Sequence, residues 1–299
     1  MAVTPRSSRR IDGAVPEGTA DSTWRGHGSV RTASGYLSIE LVPTLGGKIA
    51  SIIWRGHELL LQPRDGLDWS RPRVDYETAE LCGWDEMFPT IIGAGMPDHG
   101  EVWSRHWVPS QDVVGEYGVE CTTVPAYFGR SVRVVDGSAL RLDYRVINRS
   151  TTPLEFLWAA HPQFVVVDDD RVVVHGPPLH LVTEHPGSEL VVVRSAVREL
   201  AAPGRAGKWW NALDDRVTGV SVERADVRLT LLLEADCDAQ WGLWVDRGAI
   251  APRDVVSVQP AFGWHDDLAR ARQTSTAAVV RPGATLSWSL ALQFEPRSG

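Results

Sequence analysis

The stretch SVRVVDGSALRLDYRVI, residues 131–147, decides the fold class. Two runs of β-branched and other apolar residues, 131–135 and 139–147, flank the dipeptide Asp136-Gly137. A tight turn between two strands needs residues that accept positive backbone φ angles, and Asp followed by Gly meets that need. The stretch therefore predicts a β-hairpin and, with it, an antiparallel sheet.

Strand patterns continue on both sides of this hairpin. β-Branched runs recur about every ten residues between clusters of Asp, Pro and Gly, a spacing typical of an antiparallel sandwich. Only residues 266–273 have a helical pattern. We therefore expect an all-β protein in which residues 26–299 form one large antiparallel β-sandwich domain. Residues 1–25, rich in Pro, Gly, Ser and Thr, are expected to form a flexible N-terminal leader.

Composition and charge exclude several classes of function. The 299 residues carry a net charge of -8, which argues against nucleic acid or an anionic membrane as a partner. No apolar run is long enough to span a membrane. The three cysteines are far apart and form no zinc pattern, so we expect reduced thiols, no metal and a cytoplasmic protein. Since no glycine-rich phosphate-binding motif occurs, we expect no nucleotide cofactor.

A second stretch, residues 81–107, predicts the binding site. It concentrates tryptophans, histidines, carboxylates and glycines, with neither helix nor strand periodicity. Sugars need such a mixture, because their faces stack on indole rings while their hydroxyls bind in-plane donors and acceptors. We therefore interpret this stretch as a loop whose tryptophans line a pocket. The alternative is that the same tryptophans fill the core.

Two further tryptophan-rich segments bear on the pocket. In a strand, Trp241 and Trp244 would lie on opposite faces, so that one packs in the core while the other can line the site. The adjacent Asp246 and Arg247 could contact hydroxyl groups. Residues 208–210 are predicted to form a loop that closes over the pocket.

Four short motifs follow one another along the chain. They are GGKIAS at residues 46–51, GWDEMFP at 83–89 with a later His99-Gly100, AAHPQF at 159–164, and QPAFG at 259–263. In this order they resemble the aldose 1-epimerases, the galactose mutarotase-like superfamily. The resemblance covers roughly residues 30–294 and implies a large supersandwich that interconverts the anomers of an aldose.

Such a reaction removes the proton from the anomeric hydroxyl while protonating the ring oxygen, so it needs both a base and an acid. It requires no cofactor of any kind, and we therefore expect none. The resemblance implies that His161 supplies the acid and that His99 binds or assists. Where the family has its catalytic glutamate, this chain has Gln259, whose carboxamide has essentially no basicity near neutral pH. Since losing a general base costs about 10²- to 10⁴-fold in rate, the family's activity does not transfer directly.

Two interpretations follow from this departure. In the first, Glu86, Asp98 or Glu101 replaces the missing base, and the protein is an aldose 1-epimerase-like enzyme. In the second, the pocket binds a carbohydrate without ring opening, as a carbohydrate-binding or regulatory relative. Either way the expected partner is a small-molecule carbohydrate. The candidate catalytic residues are His161 and His99, and the candidate substrate-binding residues are Gln259, Trp84, Asp85, Glu86, Glu101, Trp103, Arg105 and Lys48.

Overall fold

The predicted hairpin is confirmed in the computed structural model, which describes residues 18–69, 75–76, 81–93, 95–181 and 191–297. Its two strands, Ala126–Val135 and Ala139–Asn148, pair in antiparallel register from Val135 opposite Ala139 onward. Both turn residues have positive φ angles, 48° at Asp136 and 61° at Gly137. The Asp-Gly turn therefore forms because its residues tolerate the left-handed backbone conformation.

Strands are the main regular structure of the described residues, which also contain two short α-helices. The helices are α1 (Val197–Leu200) and α2 (Leu268–Gln273). In chain order the strands are β1 (Gly18–Trp24), β2 (His27–Ser34), β3 (Leu37–Val42), β4 (Lys48–Trp54), β5 (His57–Glu58), β6 (Trp84–Met87), β7 (Val108–Pro109), β8 (Glu116–Glu120), β9 (Ala126–Val135), β10 (Ala139–Asn148), β11 (Leu154–Phe156), β12 (Trp158–Pro162), β13 (Phe164–Val165), β14 (Arg171–His175), β15 (Leu179–Leu181), β16 (Val191–Val192), β17 (Arg194–Ala196), β18 (Ala206–Asn211), β19 (Gly219–Glu223), β20 (Val227–Glu234), β21 (Ala239–Arg247), β22 (Asp254–Phe262), β23 (Ala278–Val280) and β24 (Thr285–Pro296).

Two large antiparallel sheets contain most of these strands. The first sheet has 13 strands in the order β1-β2-β3-β4-β6-β12-β22-β21-β18-β15-β16, with β5 beside β4 and β13 beside β22. The second has nine strands in the order β17-β14-β19-β20-β24-β10-β9-β8-β7. Strands β11 and β23 form a separate pair. The prediction of an all-β antiparallel sandwich is therefore confirmed.

The main core lies between the two large sheets. Trp54 of the first sheet stacks on Phe294 of the second with ring centroids 5.3 Å apart. The rings of Trp158 in the first sheet and Trp288 in the second have centroids 4.8 Å apart. These rings belong to one large cluster of buried apolar side chains, and each aromatic pair adds about 0.5–1.5 kcal/mol beyond its buried area.

The centre of the first sheet positions the candidate site on the face that points away from this core. Paired residues of neighbouring strands point to the same face, and successive residues alternate between faces. His161 on β12 pairs with Asp85 on β6. Gln259 on β22 pairs with Gly242 on β21, which pairs with Trp210 on β18. The shared face therefore brings side chains from five neighbouring strands together.

Three sequence predictions differ from the structure. Strand β1 lies within residues 1–25, predicted to be a flexible leader, and pairs with β2 along its whole length. Its exposed, polar side chains give no apolar alternation, because it is an edge strand. Residues 84–87 and 206–211 are strands β6 and β18, whereas the sequence predicted loops at both places. Strands buried on both faces lack the period-two pattern that a prediction needs. Residues 1–17 of the predicted leader lie outside the described residues.

The predicted helical pattern at 266–273 is confirmed by α2. Its N-cap, Asp267, accepts backbone hydrogen bonds from Ala269 and Arg270 through its side chain, which explains why the helix begins there. Neither of the described helices is long and apolar enough to cross a membrane.

Candidate functional site

A cavity of about 470 Å³ opens on the face of the first sheet that points away from the main core. This volume lies within the range of about 300–1,000 Å³ that is usual for small-molecule sites. Polar and apolar side chains both line it. They are Tyr76, Leu81, Met87, Ile91, Ile92, Asp98, His99, His161, Lys208, Trp244, Ile250, Gln259 and Asp266.

His161 lies deep in this cavity, with only 6% of its surface exposed. Its Nδ1 atom is 2.8 Å from the Tyr76 hydroxyl and 3.0 Å from Nε2 of Gln163. Burial holds the pKa of His161 well below its ordinary value, and the charges of His99, Lys208 and Lys48 lower it further. The imidazole is therefore neutral near pH 7, and a neutral imidazole can accept a proton.

His99 lies beside His161, with ring centroids 5.5 Å apart. Its ring stacks on Tyr76 at 3.6 Å, with an interplanar angle of 10°. The backbone of His99 is left-handed, with a φ angle of 60°, in a turn where a Cβ on Gly100 would lie 2.1 Å from the Phe88 carbonyl oxygen. This tight turn fixes the imidazole in the cavity wall, and Tyr76 contacts both histidines.

Asp98 brings a carboxylate to the same wall. Its Oδ2 atom is 3.0 Å from Nδ1 of His99, a contact that lacks the alignment of a hydrogen bond. Asp98 can therefore balance the charge of a protonated His99. Of the three carboxylates that the sequence suggested as a replacement base, Asp98 is the one that lines the cavity.

Lys208 and Gln259 form another part of the cavity wall. Lys208 is 4% exposed, and its Nζ atom donates a hydrogen bond to the Gln259 carboxamide oxygen. The same Nζ lies 3.4 Å from Oδ1 of Asp266 and 5.1 Å from the ring centroid of Trp210. Burial lowers the pKa of Lys208, although Asp266 opposes this shift. The sequence reasoning did not single out Lys208 or Asp266 as site residues.

Glu86 lies on the other face of β6, in the main core. Its carboxylate accepts hydrogen bonds from Arg130 at 2.6 Å, from the Tyr144 hydroxyl at 2.9 Å and from the Trp158 indole at 2.9 Å. Burial raises the pKa of Glu86, and the Arg130 guanidinium opposes the rise. This carboxylate stabilises the contact between the two sheets and does not reach the cavity.

Lys48 and Asp85 form a buried ion pair next to the cavity floor. The Lys48 Nζ atom is 2.6 Å from Oδ2 of Asp85 and donates a second hydrogen bond of 2.7 Å to the Cys82 carbonyl oxygen. Asp85 shares the face of His161 and pairs with it across the strands. The ion pair therefore lies beside His161, and neither of its side chains lines the cavity.

Glu101 and Arg105 lie in a neighbouring turn. The Glu101 carboxylate accepts hydrogen bonds from the backbone amides and the hydroxyls of Thr122 and Thr123, with amide distances of 2.9 and 2.8 Å. Burial raises the pKa of Glu101, but these hydrogen bonds outweigh it and leave the pKa below its ordinary value. Arg105 donates to the Thr122 hydroxyl at 3.0 Å. Both side chains stabilise this turn, so their role is structural.

The tryptophans of residues 81–107 pack in the interior. Trp84 and Trp107 belong to the main core, and Trp103 packs edge-on against Tyr76 at 4.9 Å, behind the cavity wall. None of these three rings is among the residues that line the cavity. Trp244 and Tyr76 provide its aromatic surface instead.

The predicted split of the two tryptophans on β21 is confirmed. Trp241 packs in the main core, and Trp244 lines the cavity. Asp246 accepts hydrogen bonds from the backbone amides of residues 249–251, and Arg247 pairs with Asp254 at 3.0 Å. These two side chains therefore stabilise the end of the strand. Within the part of the chain that the structure describes, no group of three or more His, Cys, Asp and Glu side chains is arranged to hold a metal ion.

Comparisons with known proteins give matches in structure but none in sequence. No protein-family model matches the chain, and no curated protein matches its sequence. A galactose mutarotase-like protein from Clostridium acetobutylicum is 14% identical, with a TM-score of 0.69 over 94% of this chain and 99% of that one. One from Lactobacillus casei is 14% identical, with a TM-score of 0.65 over 89% and 100%. A candidate aldose 1-epimerase from Escherichia coli K12 is 12% identical, with a TM-score of 0.63 over 94% and 100%.

These matches show that the chain has the galactose mutarotase-like fold, as the four motifs implied. The fold alone does not assign a reaction, because one fold can carry many functions. What the chain can do depends on the cavity, where His161, His99, Asp98, Gln259, Lys208 and Asp266 converge.

Proposed function

We propose that this protein binds a small reducing sugar, or a derivative of one, and interconverts its anomers by acid-base ring opening. The observation that carries the proposal is the pair of adjacent histidines, His161 and His99, in one cavity of a galactose mutarotase-like fold. Ring opening needs a proton acceptor and a proton donor on the same sugar. Two imidazoles with different surroundings meet that requirement.

In the proposed reaction, neutral His161 removes the proton from the anomeric hydroxyl. Its lowered pKa keeps the imidazole unprotonated near pH 7 and so free to take up this proton, although the same shift makes it a weaker base than an ordinary imidazole. The resemblance assigned it the acid role, which a neutral imidazole fills less well. His99, whose charge Asp98 can balance, then protonates the ring oxygen. Ring closure reverses these transfers after rotation about the bond next to the aldehyde carbon.

Gln259 serves this reaction as a hydrogen-bonding group. A carboxamide can both donate to and accept from a sugar hydroxyl, although it cannot remove a proton near neutral pH. The Tyr76 and Trp244 rings offer apolar surfaces to the faces of a sugar. Asp98 and Asp266 are the two carboxylates among the described residues that line the cavity. Either can accept hydrogen bonds from the hydroxyl groups of a sugar.

A second candidate function is carbohydrate binding without ring opening. One observation favours it: Lys208 donates to the Gln259 oxygen, so the group at the position of the family's base is neutral and already paired. A pocket of this kind would keep recognition and lose the reaction. The two candidates differ in a single measurable property, the rate at which bound sugar exchanges its anomers.

The test follows the α and β signals of several aldoses by NMR, with and without protein, together with saturation-transfer binding. We expect exchange faster than in buffer, and its loss in His161→Ala. The matched control is His57→Ala, at an exposed histidine on β5 outside the cavity, which should retain the wild-type rate. Binding with exchange no faster than in buffer would reject the isomerase and favour the binding protein. Neither binding nor exchange with any aldose would reject both.

A further inference from the structure

The chain is unusually poor in lysine. It contains 30 lysine and arginine residues together, of which only Lys48 and Lys208 are lysines. Both are buried, at 0% and 4% exposure, so an arginine, and never a lysine, supplies each permanent positive charge at the described surface. A guanidinium stays protonated under all ordinary conditions, whereas an amine can lose its proton and become a nucleophile. An amine at these two positions therefore offers chemistry that arginine cannot.

The two lysines differ in their surroundings. Lys48 is held by the Asp85 carboxylate at 2.6 Å and the Cys82 carbonyl at 2.7 Å, and it does not line the cavity. Lys208 lines the cavity, and its hydrogen-bond partner is the neutral carboxamide of Gln259. Its carboxylate neighbour, Asp266, is 3.4 Å away, longer than the 2.7–2.9 Å or so of a close charge-assisted hydrogen bond. Lys48 is thus held by two close acceptors, one of them a carboxylate, whereas the closest acceptor of Lys208 carries no charge.

The surroundings of Lys208 make its ammonium easier to deprotonate than an exposed one. Burial lowers its pKa, and Asp266 only partly opposes the shift. A glutamate in place of Gln259 would put a second carboxylate against the ammonium and hold its proton. The carboxamide of Gln259 keeps the hydrogen bond without that charge. It therefore stabilises the Lys208 ammonium less than a glutamate would.

We propose that Lys208 is a nucleophile that forms an imine with the carbonyl carbon of an open-chain sugar or another small aldehyde bound in the cavity. For a sugar, this inference rests on the proposed ring opening, which produces the aldehyde next to the amine. For a short aldehyde it needs no ring opening. The site then adds covalent carbonyl binding to the proposed exchange of anomers.

The proposed step balances without an oxidant or a reductant. The Lys208 ammonium gives one proton to the Asp266 carboxylate, and the free amine attacks the carbonyl carbon, forming the carbon–nitrogen bond. A proton moves from nitrogen to the carbonyl oxygen and gives a carbinolamine. Asp266 returns its proton to the departing hydroxyl, the carbon–oxygen bond breaks, and water leaves. The products are one protonated imine and one water, and hydrolysis releases the aldehyde unchanged.

The experiment traps the imine by reduction. Intact protein is incubated with glycolaldehyde, which needs no ring opening, or with an aldohexose, each with sodium cyanoborohydride, and the adduct is located by mass spectrometry. We expect a single side-chain adduct, on Lys208, with no tryptic cleavage after that residue. Lys48 in the same digest is the internal control and should remain unmodified. The absence of surface lysines makes the background low, since the α-amino group is the remaining amine.

Two variants sharpen the assignment. Lys208→Arg keeps a cation and its donors but cannot form an imine, so we expect no side-chain adduct with either aldehyde. Asp266→Asn removes the proposed proton carrier, and we expect trapping to slow by about 100-fold, as for the loss of a general acid-base group. Should a variant fail to fold, the position of the adduct in the wild-type protein, located by mass spectrometry, still tests the proposal.

The outcomes separate this inference from the proposed function. If anomers exchange but neither aldehyde labels Lys208, the nucleophile is rejected and the isomerase stands. If glycolaldehyde labels Lys208 but no aldose exchanges its anomers, the nucleophile stands and the isomerase is rejected. Labelling of Lys48 as fast as Lys208 would also overturn the proposal, because it would show no selective activation.

Discussion

Glu86 and His161 lie on opposite faces of the same pair of strands. His161 pairs with Asp85, the residue before Glu86, while Glu86 pairs with Ala160. Alternation along a strand therefore places the imidazole in the cavity and the carboxylate in the main core. No side-chain rotation can carry Glu86 through the sheet, so this residue cannot act on a sugar that His161 contacts.

The first prediction concerns the stability that Glu86 provides. In Glu86→Gln, the buried Arg130 loses its counter-ion, and removal of one partner from a buried ion pair costs about 3–5 kcal/mol. Urea unfolding should show that loss. The control is Glu155→Gln, whose pair with Arg272 is about half-exposed and should contribute less than about 1 kcal/mol. Equal small effects in both variants would contradict a buried ion pair.

The second prediction concerns the acid sensitivity that buried His161 confers. Its folded-state pKa lies well below the ordinary value of 6.5, so in mildly acidic solution the unfolded chain binds a proton that the folded chain does not. Stability should therefore fall as the pH drops below about 6.5, by up to about 1.4 kcal/mol per pH unit, until the folded-state pKa is reached.

The measurement compares the free energy of unfolding at several pH values in wild type and His161→Gln. The variant should have a shallower slope on the acid side of pH 6.5, by up to one proton. The exposed His57→Ala should keep the wild-type slope. An unchanged slope in His161→Gln would mean that His161 binds a proton as readily in the folded chain as in the unfolded chain.

Much of the fold was predictable because local chemistry and global structure agree there. The turn at residues 136–137 has residues that accept positive φ angles, and strand β10 after it alternates between buried and partly exposed side chains. Strands β6 and β18 were not predicted, because burial on both faces removes alternation. Edge strand β1 was missed for the opposite reason, since its exposed side chains have no apolar face.

The site was only partly predictable. The resemblance correctly placed His161, His99 and Gln259 in one cavity, His161 and Gln259 on neighbouring strands and His99 in a turn. Tyr76 and Lys208 reach the cavity from distant parts of the chain. Tyr76 contacts His161, 85 residues later, and Lys208 donates a hydrogen bond to Gln259, 51 residues later. Such contacts depend on strand order across the sheet, and no local pattern encodes that order. The signal available for Lys208 was the scarcity of lysine in the chain.

The third prediction concerns Tyr76. Tyr76→Phe removes the hydroxyl that contacts Nδ1 of His161 at 2.8 Å but keeps the ring that stacks on His99. Since a hydrogen bond contributes about 0.5–1.5 kcal/mol, anomer exchange should slow by roughly two- to tenfold. Tyr76→Leu loses the stacked ring as well and should be slower still. The rate of anomer exchange, measured by NMR at saturating sugar, should fall from wild type to Tyr76→Phe to Tyr76→Leu. Equal rates in Tyr76→Phe and wild type would refute the prediction.

The fourth prediction concerns Gly242, which lies between Trp210 and Gln259 on the cavity face. A Cβ added there would lie 3.1 Å from the Gln259 carboxamide oxygen and 3.2 Å from the Trp210 ring. Gly242→Ala should therefore displace the carboxamide and cost about 1–3 kcal/mol, as overpacking does. Because the Lys208 amine donates to that same oxygen, the variant should also weaken sugar binding.

The matched control is Gly28→Ala on β2, where an added Cβ meets nothing within 4 Å. It should leave both stability and binding close to wild type. Denaturant unfolding gives the first quantity, and saturation-transfer NMR with a bound aldose gives the second. If Gly242→Ala loses stability but binds sugar as well as wild type, Gln259 does not contact the ligand. If it loses neither, the sheet relaxes around the new methyl group, and the close approach of Trp210 to Gln259 is not required.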